Sequence, residues 1–153
     1  PKPRRAVTSK ATRRWLVFAG VPGRTGFVGD GADLVAFLSF AVSRGFGAAH
    51  PLIALADRLH DEHRVRMGPL TTFYEADAED EEDVHKLELA WQDPAPLRDE
   101  LRKVAAAITS DPQAAALAAR ANAPGLATQA RALAAALDSP IAAGRRVRMV
   151  YAL

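Results

Sequence analysis

The chain has 153 residues, with 20 basic and 18 acidic side chains, four histidines and no cysteine, giving a formal charge of +2. That length suits one domain able to bury a core unaided, and the absence of thiols excludes disulfides, cysteine-ligated zinc and cysteine nucleophiles. No uncharged run of about 18 residues occurs, which argues against a membrane-spanning helix.

Arginine outnumbers lysine and alanine is abundant, a bacterial-like composition. The first residues contain no apolar signal core, so a cytoplasmic location is expected. Charge is segregated. Lys2, Arg4, Arg5, Lys10, Arg13 and Arg14 fall within residues 1–14 without an acid, while the rest of the chain is net acidic. Residues 1–12, with two prolines and little to bury, are expected to form a flexible basic arm ahead of a single domain at 13–153. Through Arg4, Arg5, Arg13 and Arg14 such an arm can hold an acidic protein surface or nucleic acid.

Trp15 to Ala19 is a continuous apolar run of strand formers, expected as a central strand. Glycines at 20, 23, 26, 29 and 31 predict a loop, after which Asp30 can cap a helix from Ala32 to Ser43 that is apolar on nearly every side. Pro51 opens a second helix reaching about Asp61, with Leu52, Leu55, Ala56 and Leu59 on one stripe. Alternation from Arg64 to Tyr74, interrupted at Gly68-Pro69, predicts a bent strand. Alternation from Lys86 to Trp91 predicts another, and the two are expected to pair antiparallel. Leu97, Leu101, Val104 and Ile108 define a third helix. Asp111-Pro112 and Pro124-Gly125 open two Ala-rich ones, and Arg146 to Ala152 alternates as a closing strand. The expected fold is therefore a single α+β domain, a roughly four-stranded mixed or antiparallel sheet packed with about five helices.

Three stretches carry candidate chemistry. A strand, a glycine loop and a helix N-terminus in succession present backbone amides and a positive helix end to a phosphate, with Gly23, Arg24, Thr25, Gly26 and Gly29 as the binding residues. Pro22-Gly23-Arg24-Thr25-Gly26-Phe27-Val28-Gly29 resembles the Thr-Gly-x-x-Gly-Phe-x-Gly turn of the extended short-chain dehydrogenases, and the resemblance implies a Rossmann-type nicotinamide site there. It covers these eight residues alone. The family's Tyr-x-x-x-Lys pair is missing at both Tyr74 and Tyr151, and the chain is not assigned to that family.

Asp57, His60 and His63 occupy neighbouring turns of the second helix, where a carboxylate and imidazoles can share a divalent ion. Capping and ion pairing at a helix end account for the same residues. Glu75 to Asp83 holds seven carboxylates in nine residues. Its spacing imitates a calcium loop but puts Glu82 where the turn needs glycine, so Glu79, Glu81 and Glu82 are expected as a solvated surface for a cationic partner. No Ser, His or Asp signature marks a nucleophile, and neither a catalytic residue nor a cofactor is assigned.

The expected function is a non-enzymatic interaction or regulatory module binding another macromolecule partly through charge. The partner is expected to be a protein, with nucleic acid open to the arm. The alternative is a small phosphate- or nucleotide-binding protein using the glycines of residues 20–31.

Overall fold

The computed structural model describes residues 14–19, 25–42, 50–75 and 80–152. The apolar run opens strand β1 (Arg14–Ala19), which pairs antiparallel with β2 (Thr25–Asp30). Their register places Val17 opposite Phe27 and Phe18 opposite Thr25, so Gly26 is the residue the ladder skips. A bulge of this kind bends the strand, and glycine tolerates the bend best. Gly31 alone separates β2 from helix α1 (Ala32–Ala41). Leu34, Val35, Phe37 and Leu38 are buried in α1, together with Ala32, Asp33 and Ala41. Apolar residues on nearly every side leave such a helix stable only when it is enclosed.

Helix α2 (Pro51–His63) starts at a proline whose absent N–H costs nothing there, and the His50 ring accepts the Leu52 amide at 3.1 Å. Arg64 ends the helix in the left-handed conformation, φ 55°. The chain then makes a single helical turn, α3 (Met67–Leu70), and a short strand, β3 (Phe73–Glu75). Helix α4 (Glu81–Leu89) and the two-residue strand β4 (Trp91–Gln92) follow. Three consecutive helices come next: α5 (Pro94–Ser110), α6 (Pro112–Arg120) and α7 (Leu126–Ala136). Asp93 and Asp111 cap α5 and α6 by accepting the amides of Ala95 and Gln113. A short α8 (Asp138–Ala142) leads into the last strand, β5 (Val147–Ala152).

β5 organises the sheet, whose order is β2-β1-β5-β3. One edge of β5 takes β1 antiparallel. The other is divided between β3, running parallel, and β4, running antiparallel. Val147, Met149 and Val150 are all buried, so this part of β5 is covered on both faces. α5 forms the axis of the helical layer and packs most extensively on α7. Leu97, Leu101 and Val104 meet Leu126, Ala130 and Leu133 in a core that includes most of α1 and the Leu stripe of α2.

The expected α+β domain with a roughly four-stranded sheet is corrected here: the protein is mostly helical, with eight helices among the described residues rather than about five. Its sheet is a minor layer in which β3 and β4 supply three and two residues. Two misreadings account for the change. Lys86 to Leu89 is helical, because Asp80 and the acids of the first turn favour a helix start more than a brief alternation favours a strand. Arg64 to Tyr74 is broken by α3, leaving Phe73 and Tyr74 to pair in parallel with β5 and not with the stretch around residue 88. Among the described residues no helix is long and apolar enough to cross a membrane.

Candidate functional site

Helix α4 stands out because little of it is covered. Asp80 Oδ1 accepts the Asp83 amide at 2.9 Å and closes the first turn, where Glu81, Glu82 and Asp83 also lie beside the positive end of the helix. Glu82 and Lys86 form an i,i+4 pair at 3.6 Å. Along the helix Glu81, Glu82, Val84, His85, Lys86, Glu88 and Leu89 are all exposed. Val84 is 52% and Leu89 63% accessible; among the described residues Val42, at 59%, is the other large apolar side chain so exposed. At about 100° per residue, Glu81, Val84, His85, Glu88 and Leu89 share one outward stripe roughly 140° wide. An acidic helix thus shows two apolar side chains to solvent.

The C-terminal end of α4 fixes that stripe to the body. Ala90 is fully buried. The Arg148 guanidinium on β5 lies 4.9 Å from the Trp91 ring centre and 3.7 Å from Glu88 Oε1, a cation–π contact and an ion pair made by one side chain. Arg146 donates to the Trp91 carbonyl at 3.0 Å, and the Gln92 amide donates to the carbonyls of Pro69 and Thr72.

The sequence-derived partner residues divide accordingly. Glu81 and Glu82 lie exposed on α4, and Arg14 begins β1, opposite Asp30 on one side and Ala152 on the other. Arg4, Arg5, Arg13, Glu79 and the whole arm 1–12 lie outside the described residues.

The proposed phosphate residues are placed differently from the expected loop. Thr25, Gly26 and Gly29 belong to β2, within a hairpin, while Gly23 and Arg24 lie outside the described residues. At the start of α1 one amide and one carboxylate are engaged by α7. Gln129 Oε1 accepts the Leu34 amide at 2.9 Å, and Asp33 Oδ2 accepts the Gly125 amide at 2.7 Å. The N-termini of α1 and α7 therefore cap each other, with Asp33 as the anion between them.

Asp57, His60 and His63 do lie on one helix, but they face different partners. His60 Nδ1 sits 2.9 Å from Asp61 Oδ1 at the surface. His63 Nε2 sits 2.8 Å from Asp111 Oδ2, an oxygen that also accepts from Arg58 Nε at 2.7 Å. Among the described residues no three His, Asp or Glu side chains gather as a metal site would require. The Arg58 guanidinium, then His63, hold the Asp111 carboxyl well below the usual carboxylate range, and Asp111 in turn raises the Arg58 pKa. Asp111 was readable from sequence only as a cap before Pro112. Its partners are 48 and 53 residues away, and no local pattern announces them.

Glu100 escaped notice for the same reason. Buried on α5, it accepts the Arg66 amide at 2.6 Å and Lys103 Nζ at 3.1 Å, holding the turn that follows the left-handed Arg64. A cavity of about 540 Å³ opens between the starts of α5 and β5, lined by Asp93, Pro94, Ile141, Gly144, Arg145 and Arg146. Comparison with known protein families, with curated proteins and with solved structures finds no match for this chain.

Proposed function

We propose that the protein is an interaction module whose helix α4 receives a cationic segment of a macromolecular partner, and that it works by binding, without catalysis. The observation that carries this reading is the exposure of Val84 and Leu89 among the carboxylates of α4, a helix whose Glu88 pairs with Arg148 of β5. Isolated surface carboxylates need no explanation. Carboxylates interleaved with two solvated apolar side chains suit a partner that brings positive charge and a small apolar contact together. Charge sets the encounter rate and the selectivity, and burial of the apolar pair slows dissociation.

The test is fluorescence anisotropy of a labelled synthetic peptide that alternates arginine with valine or leucine, titrated with the full chain. Binding is expected to weaken about tenfold or more between about 50 and 300 mM salt, as contacts between exposed charges are screened. Glu81→Gln/Glu82→Gln is expected to reduce both affinity and salt dependence. Val84→Ser/Leu89→Ser is expected to reduce affinity while the salt dependence persists. A peptide that does not bind, or that binds all three proteins alike, overturns the reading.

A further inference from the structure

We propose that the cavity between the starts of α5 and β5 binds a small zwitterionic acid, an acidic amino acid or a short peptide ending in one. Its carboxylates meet Arg145 and Arg146, and its ammonium meets Asp93. This site is independent of the binding role of α4.

Local rules fix the backbone on both sides of the cavity. α8 closes in a turn where the Gly144 amide donates to the Ile141 carbonyl at 3.1 Å and the Arg145 amide to the Pro140 carbonyl at 2.9 Å. That pair of bonds needs a left-handed residue, and Gly144 supplies it at φ 66°. A Cβ on Gly144 would find nothing within 4 Å, so the space beside the turn is open. Arg145 and Arg146 are thus held between this turn and Val147, which is fully buried. Across the cavity Asp93 and Pro94 begin α5, and Asp93 Oδ1 accepts the Ala95 amide at 3.1 Å. The helix start carries its own cap, so a ligand meets a carboxylate there and not free amides.

The lining has a definite charge pattern. Among the described residues the Arg145 guanidinium has no hydrogen bond or ion pair. Arg146 donates through Nη2 to the Trp91 carbonyl at 3.0 Å, which holds the side chain and leaves Nε and Nη1 to a ligand. Asp93 keeps its second oxygen without a partner among the described residues. Two guanidiniums and one carboxylate give the lining a net charge of +1.

A ligand with two carboxylates and one ammonium answers each of these charges in turn. Guanidinium suits carboxylate because two parallel N–H groups meet two oxygens. A phosphate would bring negative oxygens beside Asp93 with no positive group to offset them. Pro94 is buried and Ile141 packs on the core, so together they offer an apolar wall to the body of the ligand. The volume, about 540 Å³, falls within the span of small-molecule sites and admits a dipeptide as well as a free amino acid.

The test is calorimetric titration of the full chain at low salt with L-glutamate, leucyl-glutamate, glutarate and inorganic phosphate. Glutamate and leucyl-glutamate are expected to bind the wild type about tenfold or more tightly than glutarate, which lacks the ammonium. Arg145→Gln is expected to weaken both by about tenfold or more, with the urea midpoint unchanged. Asp93→Asn keeps the cap, which asparagine forms as well as aspartate does, and removes the charge. It is expected to weaken glutamate and leucyl-glutamate while tightening glutarate, a reversal that a merely structural role for Asp93 would not produce.

Tighter binding of leucyl-glutamate than of glutamate supports the site as one for a peptide end, and the opposite order supports it as one for the free amino acid. Failure of both to bind the wild type overturns the proposal. So does glutarate binding as tightly as glutamate, phosphate binding more tightly than either, or Arg145→Gln binding like the wild type. The comparison of ligands on the wild type needs no variant to fold.

Discussion

Asp33 and Gly125 are 92 residues apart, yet the Asp33 carboxylate accepts the Gly125 amide at 2.7 Å, while Gln129, one turn into α7, accepts the amide of Leu34. Two helix N-termini, each with donors that its own helix cannot satisfy, are joined by one carboxylate and one amide. This exchange closes the helical layer against the hairpin, since α7 also contacts β2.

Asp33→Ala leaves the Gly125 amide without its acceptor and is expected to cost about 1–3 kcal/mol. Gly125→Ala should act on the same exchange, because a Cβ there would lie 2.8 Å from Gln129 Nε2 and 2.9 Å from Asp33 Oδ2. The two substitutions together are expected to cost less than the sum of their separate effects. Urea unfolding of the four proteins in the cycle measures the coupling, and strict additivity would contradict a shared exchange.

Acid should loosen the α2–α6 contact through Asp111. Its folded carboxyl is held below the ordinary range, first by Arg58 and then by His63, so the charged form stabilises the fold fully above the unfolded pKa near about 4. That contribution declines as pH falls from there toward the folded pKa. In Asp111→Asn the charge is absent at every pH. The gap between wild type and variant in urea midpoint is therefore expected to shrink as pH falls below about 4.

Leu101 is fully buried at the centre of α5, the helix on which the layer is built. Leu101→Ala is expected to cost about 2–5 kcal/mol, the range for an apolar side chain whose cavity its neighbours only partly refill. Chemical denaturation checks this. A cost under about 1 kcal/mol would show that α5 is not the core axis.

Val84→Ser and Leu89→Ser should leave stability within about 0.5 kcal/mol, because these side chains have little contact to lose. A large loss in thermal unfolding would mean that they support the fold, and the binding role of α4 would lose its main argument. The contrast with Leu101 separates apolar residues that support the fold from apolar residues that do not.

The sequence by itself determined the elements whose cause is local. The enclosed helix after residue 31 follows from apolar character on nearly every side, and the starts of α2 and α6 follow from Pro51 and Asp111-Pro112, while that of α5 lay open between Asp93-Pro94 and Pro96. The stripe Leu97, Leu101, Val104 also reads directly as a core face, because caps, proline geometry and a 3.6-residue period act over a few positions.

Only the tertiary structure decided the rest. Two glycines expected in a phosphate loop became part of a paired strand with Gly26 at its bulge, and the alternating letters after Lys86 became a helix rather than a strand. His63 was drawn to Asp111 and not toward a metal-like cluster with Asp57. Only the last of these partners lies far away in sequence, Asp111 being 48 residues from His63 and 53 from Arg58; β2 is held by its hairpin neighbour β1, and α4 starts on the cap at Asp80. Short-range pattern fixes where a helix can begin, whereas hydrogen bonds and burial between distant segments choose among the conformations that a short stretch allows equally well.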